Sequence, residues 1–425
     1  MKKVLIITYY FPPAGGPGVQ RWLKFVKYLP DFGIEPIVYV PENPSYPIID
    51  EQLLEEVSPK ATILKRRIFE PYALASVFSK TKTKKISSGI IPNERKQTQI
   101  DRFLLWVRGN LFIPDARVFW VRPSVSYLKK YIQENQIDTV ITTGPPHSLH
   151  LIGLHLKEQL SVRWLADFRD PWTTIGYHDK LHLSESAAQK HRLLEKKVLN
   201  TADHIIVTSP STKAEFEKKT VQPITVITNG FDHEKVAPQT LDKKFSLAHI
   251  GSLLSERNPV NLWQAISDLV KEIPGFADHL QLKLIGTVSK EVLETIGSYN
   301  LNEFILNLGY VSHQEALEHQ RKSQVLLLIE INSRNTISII PGKLFEYMIS
   351  NRPILAIGPR SSDFSEIIQK TNTGIFYDYA AKDEIKKTLK HWYEQFLDQK
   401  LKVHAVGVDQ YSRQSLSRKL ADLLK

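Results

Sequence analysis

The sequence predicts a parallel α/β protein built as two successive domains. Three observations carry this expectation. Short, continuously apolar runs recur along the chain, as in strands covered on both faces. Segments with helical spacing lie between them. The alternation is interrupted once, near residues 228–245, by Pro238 and a polar stretch, before a second series begins. A chain of 425 residues suits two or three domains.

The elements follow in order. Val4–Tyr9 is a continuous apolar run and reads as a buried first strand. A Pro/Gly-rich turn leads to a helix over Arg21–Leu29, with Trp22, Phe25, Val26 and Leu29 at helical spacing, and then to a strand over Ile34–Val40. From about residue 60 to 125 the pattern is less regular. It holds the basic run Lys80–Lys85 and an amphipathic patch of Phe103, Leu104, Trp106, Val107, Leu111 and Phe112, interleaved with Arg102, Arg108, Arg117 and Arg122. Strands return at Thr139–Thr142, Arg163–Phe168, His204–Thr208 and Ile224–Ile227. The second series runs through Phe245–Ile250, Leu280–Ile285, Ile305–Leu308, Val325–Ile329, Ile354–Ile357 and Gly374–Phe376. Ser412–Leu424 closes the chain as an amphipathic helix with Leu416, Leu420, Leu423 and Leu424 on one side. The expected domains are Rossmann-like and span 1–235 and 236–407, with the helix of 408–425 returning to the first.

Composition narrows the function. Hydrophobic residues at 42% and charged residues at 24% exclude global disorder. With no cysteine there is no disulfide framework, thiolate nucleophile or Cys-based zinc site. The net charge of +11 is concentrated: residues 60–130 hold 16 Lys/Arg against four Asp/Glu, and the rest is nearly neutral. Such a segment suits phosphates on lipid headgroups, nucleic acid or a diphosphate substrate, and it equally serves solubility. Met1-Lys2-Lys3 and the apolar run after it superficially resemble a signal peptide. The run ends at Pro12-Pro13 without a cleavage site and reads as a strand. No apolar stretch of about 20 residues occurs. A cytoplasmic location is expected, and peripheral attachment to the inner face of the cell membrane is compatible with it.

Ligands of open α/β sheets bind beyond the carboxyl ends of strands, so the loops there are the candidates. Phe11-Pro12-Pro13-Ala14-Gly15-Gly16-Pro17-Gly18 follows the first strand. Its glycines allow close approach of a ligand to the backbone, although the dinucleotide fingerprint G-x-G-x-x-G fails. Gly144-Pro145-Pro146-His147-Ser148 places a histidine at a strand end, where it is either a site residue or structural. Ala166-Asp167-Phe168-Arg169-Asp170-Pro171-Trp172 gathers three charges whose burial requires partners. An internal pair of Arg169 with a carboxylate would satisfy it as well. Thr228-Asn229-Gly230 is a turn. In the second series, Gly251-Ser252 leads to Arg257, a candidate diphosphate partner. Pro341-Gly342-Lys343-Leu344-Phe345-Glu346 opens a helix, with Lys343 and Glu346 on one face. A plain surface ion pair is the alternative there.

These six loops in this order resemble the family 4 glycosyltransferases with the GT-B fold, over nearly the whole chain. The resemblance is strongest in Leu308-Gly309-Tyr310-Val311-Ser312, in PGKLFEYMISNRPILAIG (Pro341–Gly358) and in Asn372-Thr373-Gly374-Ile375. The N-terminal YYFPPAGGPGVQR and the DFRDPW loop resemble a bacterial subgroup. The resemblance implies two Rossmann-like domains facing across a cleft and a retaining transfer without a metal or other cofactor. It also implies a nucleotide-sugar donor held mostly by the second domain. Glu346 would bind the ribose hydroxyls, and Arg257 and Lys343 the diphosphate. The Gly15-Gly16 loop would approach phosphates or sugar, and His147 would contact the donor sugar.

Two departures stand out. The usual Glu-x7-Glu pair would place an acid at position 338, where this chain has Ser338, and Glu330 lies too far upstream to substitute by spacing. The backbone amides of Ile339, Ile340 and Gly342 are offered instead. Ser252 occupies the earlier position of an expected basic pair.

His147 and Asp167 are expected to orient substrates, with Arg169 and Asp170 toward the acceptor. The implied acceptor is a saccharide or lipid-linked saccharide of cell-surface polysaccharide or lipopolysaccharide synthesis, presented where the 60–130 segment meets an anionic membrane. The rivals are a GT-B nucleotide-sugar epimerase and a catalytically idle sugar-nucleotide-binding protein. Nucleic acid is disfavoured, because the basic segment contains no known recognition module.

Overall fold

The computed structural model describes residues 1–70, 99–174, 176, 178, 181–232 and 239–425. The run Lys80–Lys85 and the expected boundary at 235/236 lie outside the described residues. The chain forms two compact units, Met1–Asn229 with Arg413–Lys425, and Gly230–Ser412.

The first unit is built on seven strands, β1 (Lys2–Ile7), β2 (Ile34–Pro41), β3 (Thr62–Arg66), β4 (Thr139–Gly144), β5 (Arg163–Phe168), β6 (His204–Val207) and β7 (Ile224–Val226). They lie in the order β3-β2-β1-β4-β5-β6-β7, and every pairing is parallel. The apolar first strand serves two cores. Val4 and Ile6 pack with Trp22 and Val26 of α1 (Pro17–Tyr28). Leu5 and Ile7 face the other side, with Trp120 and Leu128 among their cluster. The helices on the way are α2 (Gln99–Leu111), α3 (Val118–Asn135), α4 (Ser148–Gln159), α5 (Glu185–Thr201) and α6 (Pro210–Phe216).

β3 is the one strand of this sheet absent from the sequence reading. It is an edge strand, and its TILKR sequence leaves Lys65 and Arg66 exposed. Basic side chains guard an open edge, and they erase the apolar run by which its neighbours are recognised.

The second unit has six strands, β8 (Phe245–Ile250), β9 (Leu280–Ile285), β10 (Ile305–Gly309), β11 (Val325–Ile329), β12 (Ile354–Gly358) and β13 (Gly374–Asp378). Their order is β10-β9-β8-β11-β12-β13, again all parallel. Its helices are α7 (Val260–Glu272), α8 (Phe276–His279), α9 (Lys290–Ser298), α10 (His313–Lys322), α11 (Gly342–Met348), α12 (Asp363–Thr371) and α13 (Lys382–Leu397). Ser312 and Glu315 form a reciprocal capping box at the start of α10, which fixes where that helix begins. The last helix, α14 (Arg413–Leu424), leaves this unit and buries Leu416, Leu420 and Leu424 in the cluster that holds α1.

Each sheet winds first to one side of its founding strand and then to the other. The reversal falls between β1 and β4 in the first unit and between β8 and β11 in the second. A crevice opens at the carboxyl edge of such a switch point, because the two connections leave in opposite directions.

Candidate functional site

In the first unit the loops after β1, β4 and β5 meet at the switch-point edge. The loop after β1 is braced from outside the sheet. The Gly15 amide donates to the Ile48 carbonyl at 3.0 Å, and the Asp50 amide to the Pro13 carbonyl at 2.8 Å. Gly16 enters α1 with φ of 96°, a region in which a side chain is strained. At Gly18 a Cβ would lie 2.5 Å from a guanidinium nitrogen of Arg169.

Arg169 is the clasp of this edge. It donates to the carbonyl of Gly18 at 2.8 Å, to that of Gly144 at 3.4 Å, and to that of Pro145. It thereby joins all three loops, and its donors are spent on backbone carbonyls rather than on a carboxylate.

Asp167 is fully buried and saturated. Its carboxylate accepts from Arg21 at 2.8 Å and 3.3 Å, from Trp22 Nε1 at 2.8 Å and from Thr143 Oγ1 at 2.9 Å. Burial alone would raise its pKa. The Arg21 charge and these hydrogen bonds outweigh burial and hold it below the ordinary value. Arg21 also donates to the carbonyls of Ile227 and Thr228, at 2.9 Å each. The geometry makes Asp167 an organiser of the loops.

Asp170, by contrast, takes no hydrogen bond from a described residue, and burial raises its pKa against the pull of Arg169. It is the carboxylate at this edge with capacity to spare.

His147 is 4% exposed, and among the described residues neither ring nitrogen has a hydrogen-bond partner. Burial pushes its pKa well down, so the ring is neutral. It stacks on Trp172 with ring centroids 5.0 Å apart and planes 4° from parallel. Trp172 is itself fixed by donating to His191 Nδ1 at 3.1 Å. Asp115 accepts from the amide and hydroxyl of Ser148, at 2.9 Å and 2.8 Å, and so seats the start of α4 beside His147. A neutral imidazole with open nitrogens in a preset orientation is suited to an uncharged hydroxyl.

In the second unit the edge between β8 and β11 collects the charges. Arg257, just beyond β8, reaches Glu330, just beyond β11, with donor distances of 3.0 Å and 3.3 Å to Oε1. The same oxygen accepts the Ile331 amide at 2.7 Å. Spacing alone had set Glu330 aside, yet the sheet brings it to the site as the anchor of Arg257. Lys343, on α11, donates to the Ile250 carbonyl at 3.2 Å. Burial, and then the charge of Arg257, bring its pKa down to about 7. Glu346 accepts from Gln320 at 3.0 Å.

The Ile339 amide is committed to the Thr336 carbonyl at 3.1 Å. Among the described residues the Ile340 and Gly342 amides have no backbone acceptor. Ser252 is exposed beside Gly251. Among the described residues no three His, Asp or Glu side chains gather as a metal-binding group.

A family model described as Glycosyltransferase Family 4 matches residues 90–235. Over those residues the chain is similar to the family 4 glycosyltransferases. Solved structures agree on the GT-B fold along its whole length. The lipopolysaccharide outer core galactosyltransferase WaaB has a TM-score of 0.58 at 14% identity, covering 100% of this chain and 99% of its own. Sucrose-phosphate synthase from Thermosynechococcus elongatus has a TM-score of 0.58 at 13% identity, covering 100% and 98%. A variant of TarM from S. aureus, solved with fondaparinux, α-GlcNAc-glycerol and UDP, has a TM-score of 0.57 at 13% identity, with both chains covered fully. No curated protein matches the chain. At these identities the structures speak for the fold alone, and the chemistry of the chain rests on its own residues.

Proposed function

We propose that the chain is a glycosyltransferase that moves a sugar, with retention of anomeric configuration, from a nucleoside-diphosphate sugar to a saccharide acceptor carried on a lipid. The observation that carries the reading is the pair of cations, Arg257 and Lys343, at the β8/β11 switch point. A diphosphate leaving group needs positive charge as the glycosidic bond breaks. Arg257 and Lys343 supply it without a metal, and the free amides of Ile340 and Gly342 add donors. Glu346 takes the ribose hydroxyls. The departing phosphate oxygen accepts the proton of the incoming hydroxyl on the same face of the sugar, so no separate base is required. Neutral His147 and the open carboxylate of Asp170 orient sugar hydroxyls. Asp167 and Arg169 hold the loops that present them.

The acceptor side belongs to the first unit. Phe69, Phe103, Trp106, Leu111 and Phe119 are exposed there, and Arg102 and Arg122 are exposed with them. Among the described residues no helix is long and apolar enough to cross a membrane. Aromatic and basic side chains together favour an anionic lipid surface. The expected behaviour is co-sedimentation with vesicles that rises with anionic lipid and falls with salt. Binding indifferent to both would contradict this part of the reading.

A lipopolysaccharide galactosyltransferase and an enzyme solved with UDP, both alike in fold, support a cell-surface glycan and a nucleotide sugar. The test incubates the chain with UDP-, GDP- and ADP-sugars, with and without a bacterial lipid extract. Acceptor-dependent transfer with retained configuration is expected. Free sugar or an epimer without acceptor would favour the epimerase, and no turnover with any donor would favour an idle binding protein.

A further inference from the structure

We infer that His249 is a positioning residue for Lys343, holding the lysine ammonium at the place where the donor diphosphate binds. The inference rests on the donor reading above and adds to it a residue that the motifs did not single out.

His249 lies in β8 and is fully buried. Its Nδ1 is 3.2 Å from the carbonyl oxygen of Leu327, on the neighbouring strand β11. A carbonyl only accepts, so Nδ1 carries the proton. Burial, and then the charge of Lys343, keep the ring neutral. With Nδ1 as the donor, Nε2 faces the Lys343 ammonium at 3.4 Å as its acceptor, and the Ser252 backbone and the Arg257 charge also act on the ring. The Ile250 carbonyl takes a second N–H of the same ammonium at 3.2 Å.

An ammonium has three donors. Two are engaged by the strand end, which leaves one for a ligand. Without the imidazole the flexible lysine stem would be held by one carbonyl alone. The other charged groups acting on Lys343 are Arg257, beyond β8, Glu330, beyond β11, and Glu346, on its own helix. The His249 contact sets the direction of the lysine, whereas these charges set its background potential.

The test uses inorganic pyrophosphate, which probes the diphosphate position whatever the base, titrated calorimetrically into the full chain from pH 6 to 9. His249→Asn keeps a donor near the Leu327 carbonyl and removes the acceptor from the Nε2 position. His249→Gln places an amide oxygen near that position. Asn is expected to weaken binding about tenfold and to lower the pH midpoint of proton uptake by about one unit, because an ammonium that loses an acceptor gives up its proton more readily. Gln is expected to stay within about threefold of wild type. Equal losses in Asn and Gln, or an unmoved midpoint, would overturn the proposal and leave the donor reading standing. Should the Asn chain not melt cooperatively, Gln alone decides: retention supports the proposal and a tenfold loss overturns it. A wild type that binds neither pyrophosphate nor any nucleoside diphosphate would remove the donor reading, and this proposal with it.

Discussion

Replacing Arg21 by methionine is expected to lower the stability of the first unit by about 3–5 kcal/mol, the range for breaking a buried ion pair from one side. The pair is as dry as a pair can be, with side-chain exposures of 2% for Arg21 and 0% for Asp167. Methionine fills much of the volume but leaves the Asp167 carboxylate with only Thr143 and Trp22 as donors. It also strands the carbonyls of Ile227 and Thr228, so α1 loses its tie to the end of β7. The urea midpoint at pH 7 measures the effect.

The pH dependence has a definite sign. A carboxylate held below its unfolded pKa contributes stability above that unfolded value, near 4, and loses it as pH falls through the lower folded value. In the methionine variant burial lifts Asp167 above its ordinary value, so the gap between variant and wild type starts to close as pH falls through that raised value and goes on closing down to the lowered value of the wild type. A variant as stable as wild type at pH 7 would mean that Asp167 is not held by Arg21.

Lys343→Met is expected to reduce sugar transfer about 10²- to 10³-fold, the usual scale for removing a preorganised charge from a developing anion. The free enzyme holds this lysine at about 7, through burial first and the Arg257 charge second. A bound diphosphate favours the ammonium and raises that value. Above about pH 7 binding must therefore take up a proton, and affinity declines as pH rises. Below it the lysine is already charged and the uptake vanishes. The methionine variant should lose both the affinity and its slope with pH. Its fold should persist, since the lysine packs at the crevice and not within either apolar cluster of the sheet.

The architecture was legible because strands buried on both faces must be apolar throughout. FSLAHI and VLLLIE announce themselves, and the last helix shows its stripe of Leu416, Leu420 and Leu424. TILKR does not, since an edge strand has only one neighbour and keeps its cations outward. The site was half legible. Loops at strand ends can be found by position, but partners come from the topology. Asp167 is held by Arg21, 146 residues away, and not by its neighbour Arg169. Glu330 was dismissed by its distance from Glu346 along the chain, although what places it is the end of β11, opposite an arginine 73 residues earlier. A buried histidine in an apolar strand, such as His249, was the signal that linear spacing passed over.

The switch point of the second unit as a nucleoside-diphosphate site is the central claim, and calorimetric titration tests it most directly. UDP, GDP and ADP are added in turn to wild type and to Lys343→Met at about pH 8, in two buffers of different ionisation enthalpy. At least one nucleotide should bind wild type with net proton uptake, and the same nucleotide should bind the variant weakly and without it. Failure of all three to bind wild type, or binding that the methionine variant reproduces unchanged, would contradict the claim.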